Sequence, residues 1–120
     1  KDTYDLVTTF DCMHDMTDPH GTMRAVRSAV KEGGAWLIKD IRSQDTYEQN
    51  LENPVASMMY GFSVLYCMSS ALSTPGGAGL GTLGFPPSVC ERMGREAGFG
   101  QFRVLEYEND PFNNYYELRP

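Results

Sequence analysis

Three side chains in the first third of the chain are of the types that move protons: His14, Asp15 and Asp40. An imidazole accepts a proton near neutral pH, and a carboxylate beside it holds the ring in one tautomer and raises its basicity. His14 and Asp15 sit in the polar stretch Asp11-Cys12-Met13-His14-Asp15-Met16, which follows the β-rich run Tyr4-Asp5-Leu6-Val7-Thr8-Thr9-Phe10. Asp40 closes a second apolar run, Ala35-Trp36-Leu37-Ile38. If both runs are neighbouring parallel strands, the imidazole and this carboxylate lie at the same end of a sheet, the carboxyl end, where open α/β sheets place their ligands. Cys12 is a weaker candidate. A nucleophilic thiol needs a base and an electropositive setting, and the sequence offers neither around it.

The elements that must position these groups follow from local pattern. Asp18 suits an N-cap and Pro19 the first helical position, so a helix is expected from there to Lys31. Met23, Val26, Ala29 and Val30 fall at helical spacing and should face the sheet, with Arg24, Arg27 and Lys31 on the solvated side. Gly33 is expected to be a left-handed stop before the second strand. Strand, helix and strand make one βαβ unit, the building block of a parallel sheet covered by helices.

Residues 41–53 are polar and read as a loop with a short helical turn. No charged residue occurs between Asn53 and Cys90. Asn53-Pro54 can start a helix reaching about residue 72, with Met58, Met59, Phe62, Leu65 and Tyr66 among its apolar residues. A membrane span needs about 20 apolar residues; Ser57, Gly61, Ser63, Ser69 and Ser70 dilute the run, and no basic flank anchors it. We expect a helix buried on several faces, by the core, a second subunit or a substrate pocket. Residues 75–87 form a Gly-rich loop. Gly77-Ala78-Gly79-Leu80-Gly81 imitates part of a dinucleotide fingerprint but lacks the preceding strand and is followed by Pro86-Pro87, so it is read as a surface loop or a lid. Ser88 is expected to cap a helix ending at Ala97, with Val89, Met93 and Ala97 inward and Gly98-Phe99 as the stop. Residues 101–106 and 112–118 complete a hairpin around Asn109-Asp110-Pro111.

Composition limits the function classes. The chain has 120 residues, 41% hydrophobic and 22% charged, with a net charge of −6. That is one domain with a modest core. No basic cluster marks a nucleic-acid surface. The three cysteines, Cys12, Cys67 and Cys90, are widely spaced; neither a disulfide framework nor a zinc motif is suggested, and a reduced cytoplasmic setting is the simplest expectation. A strand beginning so near Lys1 suggests a piece of a longer chain.

In order and spacing, these elements resemble the C-terminal half of a class I S-adenosylmethionine-dependent methyltransferase. Tyr4-Asp5-Leu6-Val7 is similar to that family's fourth strand, Gly33-Gly34 before Trp36-Leu37-Ile38 to the entry into its fifth, and Ala97-Gly98-Phe99 and Asp110-Pro111-Phe112-Asn113 to its closing helix and hairpin. The resemblance implies an α/β fold: a partial Rossmann-like sheet of about four strands, the last antiparallel, with flanking helices. Cys12-Met13-His14-Asp15-Met16-Thr17-Asp18 is similar to the H-D-W-x-D signature of small-molecule O-methyltransferases, which implies His14 as general base and Asp40 as its orienting partner. It also implies cofactor contacts at Phe10 (its backbone on the methionyl end), at Asp11, and at Met16 (adenine), where the family has tryptophan. No metal is implied.

The family's glycine-rich cofactor loop and ribose acid do not occur in the sequence, so residues 1–120 are expected to bind S-adenosylmethionine weakly or not at all, and to be inactive alone. A non-enzymatic assembly or regulatory module of the same ancestry is the alternative; another doubly wound enzyme such as a dehydrogenase fits the closing hairpin poorly. Geometry discriminates the first two: a catalytic dyad converges on an open pocket, whereas a structural histidine is buried and satisfied by backbone. The expected partners are a small-molecule substrate and a second copy of the chain, without nucleic acid or membrane. The second copy is inferred from the strand around Val7, which should be a bare apolar edge, with the uncharged helix around Met59 as a further surface.

Overall fold

The computed structural model describes residues 2–120; Lys1 lies outside them. Four strands form one mixed sheet in the order β1-β2-β4-β3: β1 (Tyr4–Phe10), β2 (Val30–Ile41), β3 (Gln101–Leu105) and β4 (Asn113–Arg119). β1 and β2 are parallel, with Val7 opposite Trp36 and Thr9 opposite Ile38. β2 pairs antiparallel with β4, which closes a hairpin with β3. The sheet therefore starts parallel and ends antiparallel, as the order of elements requires.

Helix α1 (Pro19–Ala29) crosses from β1 to β2. Asp18 caps it, its carboxylate accepting from Gly21 N at 2.7 Å, and Pro19 occupies the first turn. Helix α5 (Pro87–Glu96) precedes the hairpin. Met23 from α1 and Cys90 and Met93 from α5 are buried on the sheet face that carries Trp36, Ile38, Tyr116 and Leu118, and Phe99 joins them. The opposite face, with Leu37, Lys39, Tyr115 and Glu117, is only half-buried. β1 is an edge: Tyr4, Leu6 and Phe10 are each more than half exposed.

The structure corrects several local expectations. α1 passes into β2 at Val30 without a glycine stop. Gly33 and Gly34 lie inside the strand, where the register against β1 slips between Tyr4–Val30 and Leu6–Ala35. A Cβ on Gly34 would meet Asp5 O at 2.9 Å, so that glycine serves a bulge and a close strand approach. Ser88 does not cap α5. Pro86 stands at the N-cap, and the Ser88 hydroxyl donates to Asp45 instead. The C-terminal stop is as expected: Gly98 has φ +97, and Phe99 N donates to Gly94 O at 3.0 Å.

Residues 47–71 cap the carboxyl ends of β1 and β2. Helix α2 (Tyr47–Leu51) begins with a reciprocal Thr46–Gln49 capping box. The uncharged stretch then runs as α3 (Ala56–Phe62), a π-helical turn (Ser63–Cys67) and α4 (Met68–Ala71). Within this chain it is buried on one side only, through Ala56, Ser63, Cys67 and Ala71, while Val64, Leu65 and Tyr66 are at least 72% exposed. Among the described residues no helix is long and apolar enough to cross a membrane. The Gly-rich loop is not a plain surface loop. Its second half turns inward, with Thr82, Leu83 and Phe85 buried and Phe85 in the central core.

Candidate active site

The polar stretch after β1 forms one 3₁₀ turn, Met13–Asp15, held by Asp15 N donating to Cys12 O at 3.1 Å. Met13 points into the core and fixes the turn's depth. Asp40, at the end of the neighbouring strand, is fully buried and accepts three hydrogen bonds: from Met13 N at 3.0 Å, from Ile41 N at 2.8 Å and from the His14 ring, Nδ1 to Oδ1, at 2.5 Å. All three contacts are made to the carboxylate oxygens, which accept from the two backbone N–H groups and from the ring. Nδ1 therefore carries the proton, and Nε2 of the neutral ring is left with its lone pair. Desolvation by burial lowers the His14 pKa, but the hydrogen bond and charge of Asp40, with Asp15 and Asp11 beside it, leave it raised.

Nε2 faces Cys67 Sγ at 3.4 Å and Asp15 Oδ1 at 3.4 Å. The Cys67 thiol also accepts from the Thr82 hydroxyl at 3.0 Å, and Thr82 N donates to Ser63 Oγ at 3.2 Å, which seats the inward loop on the π-helical turn. Gly81 makes that contact possible. Its φ is +76, and a Cβ there would lie 2.4 Å from Ser63 Oγ. Burial pushes the Cys67 thiol up from its ordinary value.

A cavity of about 320 Å³ opens beside the ring, lined by Asp11, His14, Ile41, Met59, Phe62, Tyr66, Cys67 and Thr82. Most of that lining is apolar, supplied by α3 and the π-helical turn. Asp11 stands at its edge in the left-handed region, φ +49, with Asp11 N donating to Lys39 O at 2.8 Å and Lys39 Nζ on Asp11 Oδ2 at 2.6 Å. Such a conformation in a non-glycine residue costs on the order of 1–3 kcal/mol and clusters at functional positions. The other oxygen, Asp11 Oδ1, is buried and unpartnered among the described residues, as is Asp15 Oδ1. Each orphan of that kind costs about 1–3 kcal/mol unless a ligand or water meets it.

The structure thus brings His14 and Asp40 together on a cavity, with Asp11 at its rim. His14 is 3% exposed and satisfied by side chains rather than backbone. Phe10, 57% exposed, and half-buried Met16 flank this loop but do not line the cavity. Cys12 is half-buried, and burial and the neighbouring carboxylates raise its pKa, which removes any case for a nucleophile. Sequence reasoning missed Cys67 and Thr82. Cys67 meets the ring and Thr82 meets Cys67 because a π-helical turn and a left-handed glycine bring distant segments together, and no spacing rule announces that.

No protein-family model matches the chain, and no curated protein matches it either. Solved structures do. An O-methyltransferase candidate from Nostoc punctiforme superposes with a TM-score of 0.69 at 18% identity, over 98% of this chain and 32% of that one. Human N-acetylserotonin methyltransferase in complex with SAM gives 0.65 at 14% identity, over 96% of this chain and 29% of that one. The trans-methyltransferase CalH, solved with SAH, gives 0.61 at 20% identity, over 99% and 31%. The fold is a methyltransferase fold. The chain spans about a third of the length of these three structures. At such identities, likeness to methyltransferases establishes architecture and leaves chemistry to the site itself.

Proposed function

We propose that this chain is the substrate-side, C-terminal part of an S-adenosylmethionine-dependent methyltransferase acting on a hydroxyl of a small apolar or aromatic molecule. The observation that carries the reading is the buried His14–Asp40 pair, 2.5 Å apart, beside a largely apolar cavity. His14 Nε2 takes the proton of the acceptor hydroxyl: the O–H bond breaks, its electron pair stays on oxygen, and the proton becomes the second N–H of the ring. Asp40 holds Nδ1–H throughout and stabilises the imidazolium that forms. Met59, Phe62 and Tyr66 hold the acceptor's apolar body and exclude water. In the structure the Cys67 thiol lies where that hydroxyl would stand, on Nε2, and must swing aside as the acceptor enters.

The cofactor would supply an electrophilic methyl group. This chain fits one end of it: the buried, unpartnered Asp11 Oδ1 and the exposed Phe10 ring close β1 at the cavity rim, with Met16 following. These residues offer no acid for the ribose hydroxyls, which accords with weak binding by the chain alone.

A second reading has its own support. His14 is nearly inaccessible and both its nitrogens have neighbours, which suits a module that keeps the fold for assembly or regulation. The test is turnover of small phenolic acceptors by the parent protein and by its His14→Ala form, with cofactor affinity measured in parallel. Loss of turnover with affinity retained supports the base. Equal turnover in both forms removes it and favours the module.

A further inference from the structure

We propose that His14 Nε2, Cys67 Sγ and Asp15 Oδ1 form a binding site for a borderline-soft divalent cation, Zn²⁺ foremost, with the fourth position open to the cavity. The three atoms lie within 4.8 Å of one another and are the group of this kind found among the described residues. Two edges of the triangle, Nε2 to Sγ and Nε2 to Oδ1, are 3.4 Å each. A tetrahedral zinc ion with bonds of about 2.0–2.3 Å to nitrogen, oxygen and sulfur separates its ligands by about 3.3–3.6 Å. The triangle is thus already near the spacing that an ion imposes, and a turn of the Asp15 side chain, which is 24% exposed, closes the third edge.

The surroundings are those of a metal-binding histidine. Ligating imidazoles commonly donate their other N–H to a carboxylate, which fixes the ring and strengthens it as a ligand. Asp40 does this from full burial. The Thr82 hydroxyl donates to Cys67 Sγ at 3.0 Å and fixes the sulfur beside the ring. Asp15 Oδ1 is shielded, and the groups nearest to it are the His14 ring and the Cys67 thiol that would share the ion with it. One thiolate, one carboxylate and one neutral imidazole balance a dication, and the nitrogen–sulfur donors select Zn²⁺ over Mg²⁺ or Ca²⁺. His14, Cys67 and Thr82 all line the cavity, which provides both an entry path and room for a water on the fourth position.

The inference does not depend on methyl transfer. It does bear on it, because the ion would take the nitrogen that the proposed base needs, so metal binding and acceptor deprotonation would exclude each other.

The test is titration of the protein with Co²⁺, then displacement by Zn²⁺, followed by absorption. One equivalent of Co²⁺ should give tetrahedral ligand-field bands and a thiolate-to-cobalt charge-transfer band that Cys67→Ser abolishes and Cys12→Ser retains. Asp40→Asn, checked to be folded under the titration conditions, should weaken Zn²⁺ by about 10–100-fold, because the carboxylate behind the ring is lost. Asp15→Asn, at a half-buried position outside the apolar core, should also weaken it. Absence of the charge-transfer band, its persistence in Cys67→Ser, or unchanged Zn²⁺ affinity in Asp15→Asn would each overturn the proposal.

Discussion

Asp40 and Asp110 are two carboxylates that gather donors at the same end of the sheet, and they use them differently. Asp110 accepts from Phe112 N at 2.9 Å, Asn113 N at 3.2 Å, Asn113 Nδ2 at 2.9 Å and Tyr115 OH at 2.8 Å. Every partner belongs to its own hairpin, and the Asn113 and Tyr115 side chains, with the backbone donors, hold its pKa at about 2. Asp40 also takes two backbone donors, but its third partner is an imidazole whose far nitrogen reaches a cavity. One acid ties a turn shut. The other ties a turn down and passes its influence on through a ring. Counting hydrogen bonds does not distinguish them; following the last donor to its other end does.

The sharpest break in this comparison is His14→Ala in the parent protein. Turnover should fall about 10²–10⁴-fold, the usual loss for a general base, with cofactor affinity nearly unchanged by calorimetry. Asp40→Asn should destabilise the fold by about 1–3 kcal/mol, because its amide keeps one accepting oxygen but turns an NH2 onto a buried donor, and turnover should fall less than in His14→Ala; urea unfolding and steady-state rates measure both. Asp110→Asn should cost about 0.5–1.5 kcal/mol and leave turnover alone. A loss of turnover there would erase the distinction between the two acids.

The pH dependences should run in opposite directions. The folded pKa of Asp110 is depressed from 3.8 to about 2, so its contribution is present above 3.8 and disappears as pH falls through about 2. The folded pKa of His14 is raised above 6.5. Its contribution is full below 6.5 and is lost as pH rises through the raised value. Wild-type and Asp110→Asn melting curves should therefore converge in acid, and wild-type and His14→Gln curves in base with a chelator present. The smallest expected effect is on mass. Two copies should pair across the exposed β1 edge, and light scattering giving a stable 13.4 kDa species at tens of micromolar would refute that pairing.

Much of the sheet was legible because local chemistry decides it. Asp18-Pro19 start α1, Gly98 ends α5, and the Asp110 turn sets the hairpin. Gly33-Gly34 misled because glycine serves both a left-handed stop and a strand bulge, and the neighbour that chooses is Asp5 on β1. The uncharged stretch gave the right helical content, but composition does not announce a π-helical turn. At the site, His14 and Asp40 could be placed from strand ends alone. Cys67 and Thr82 could not, since their positions depend on contacts between segments far apart in sequence.

The π-helical turn also makes the site sensitive to chain length in a way that substitution does not probe. A π turn holds one residue more than an ordinary helical turn. Deleting a single residue from Ser63–Cys67 would let α3 and α4 merge into one regular helix with little cost in hydrogen bonding. The π turn already absorbs the extra residue, so α4 would keep its facing relative to α3, and the change would fall on the side chains inside the turn, the Cys67 sulfur aimed at the imidazole among them. Homologues that lack this residue would keep the fold, the cavity wall and the His14–Asp40 pair, yet present a different atom to the ring.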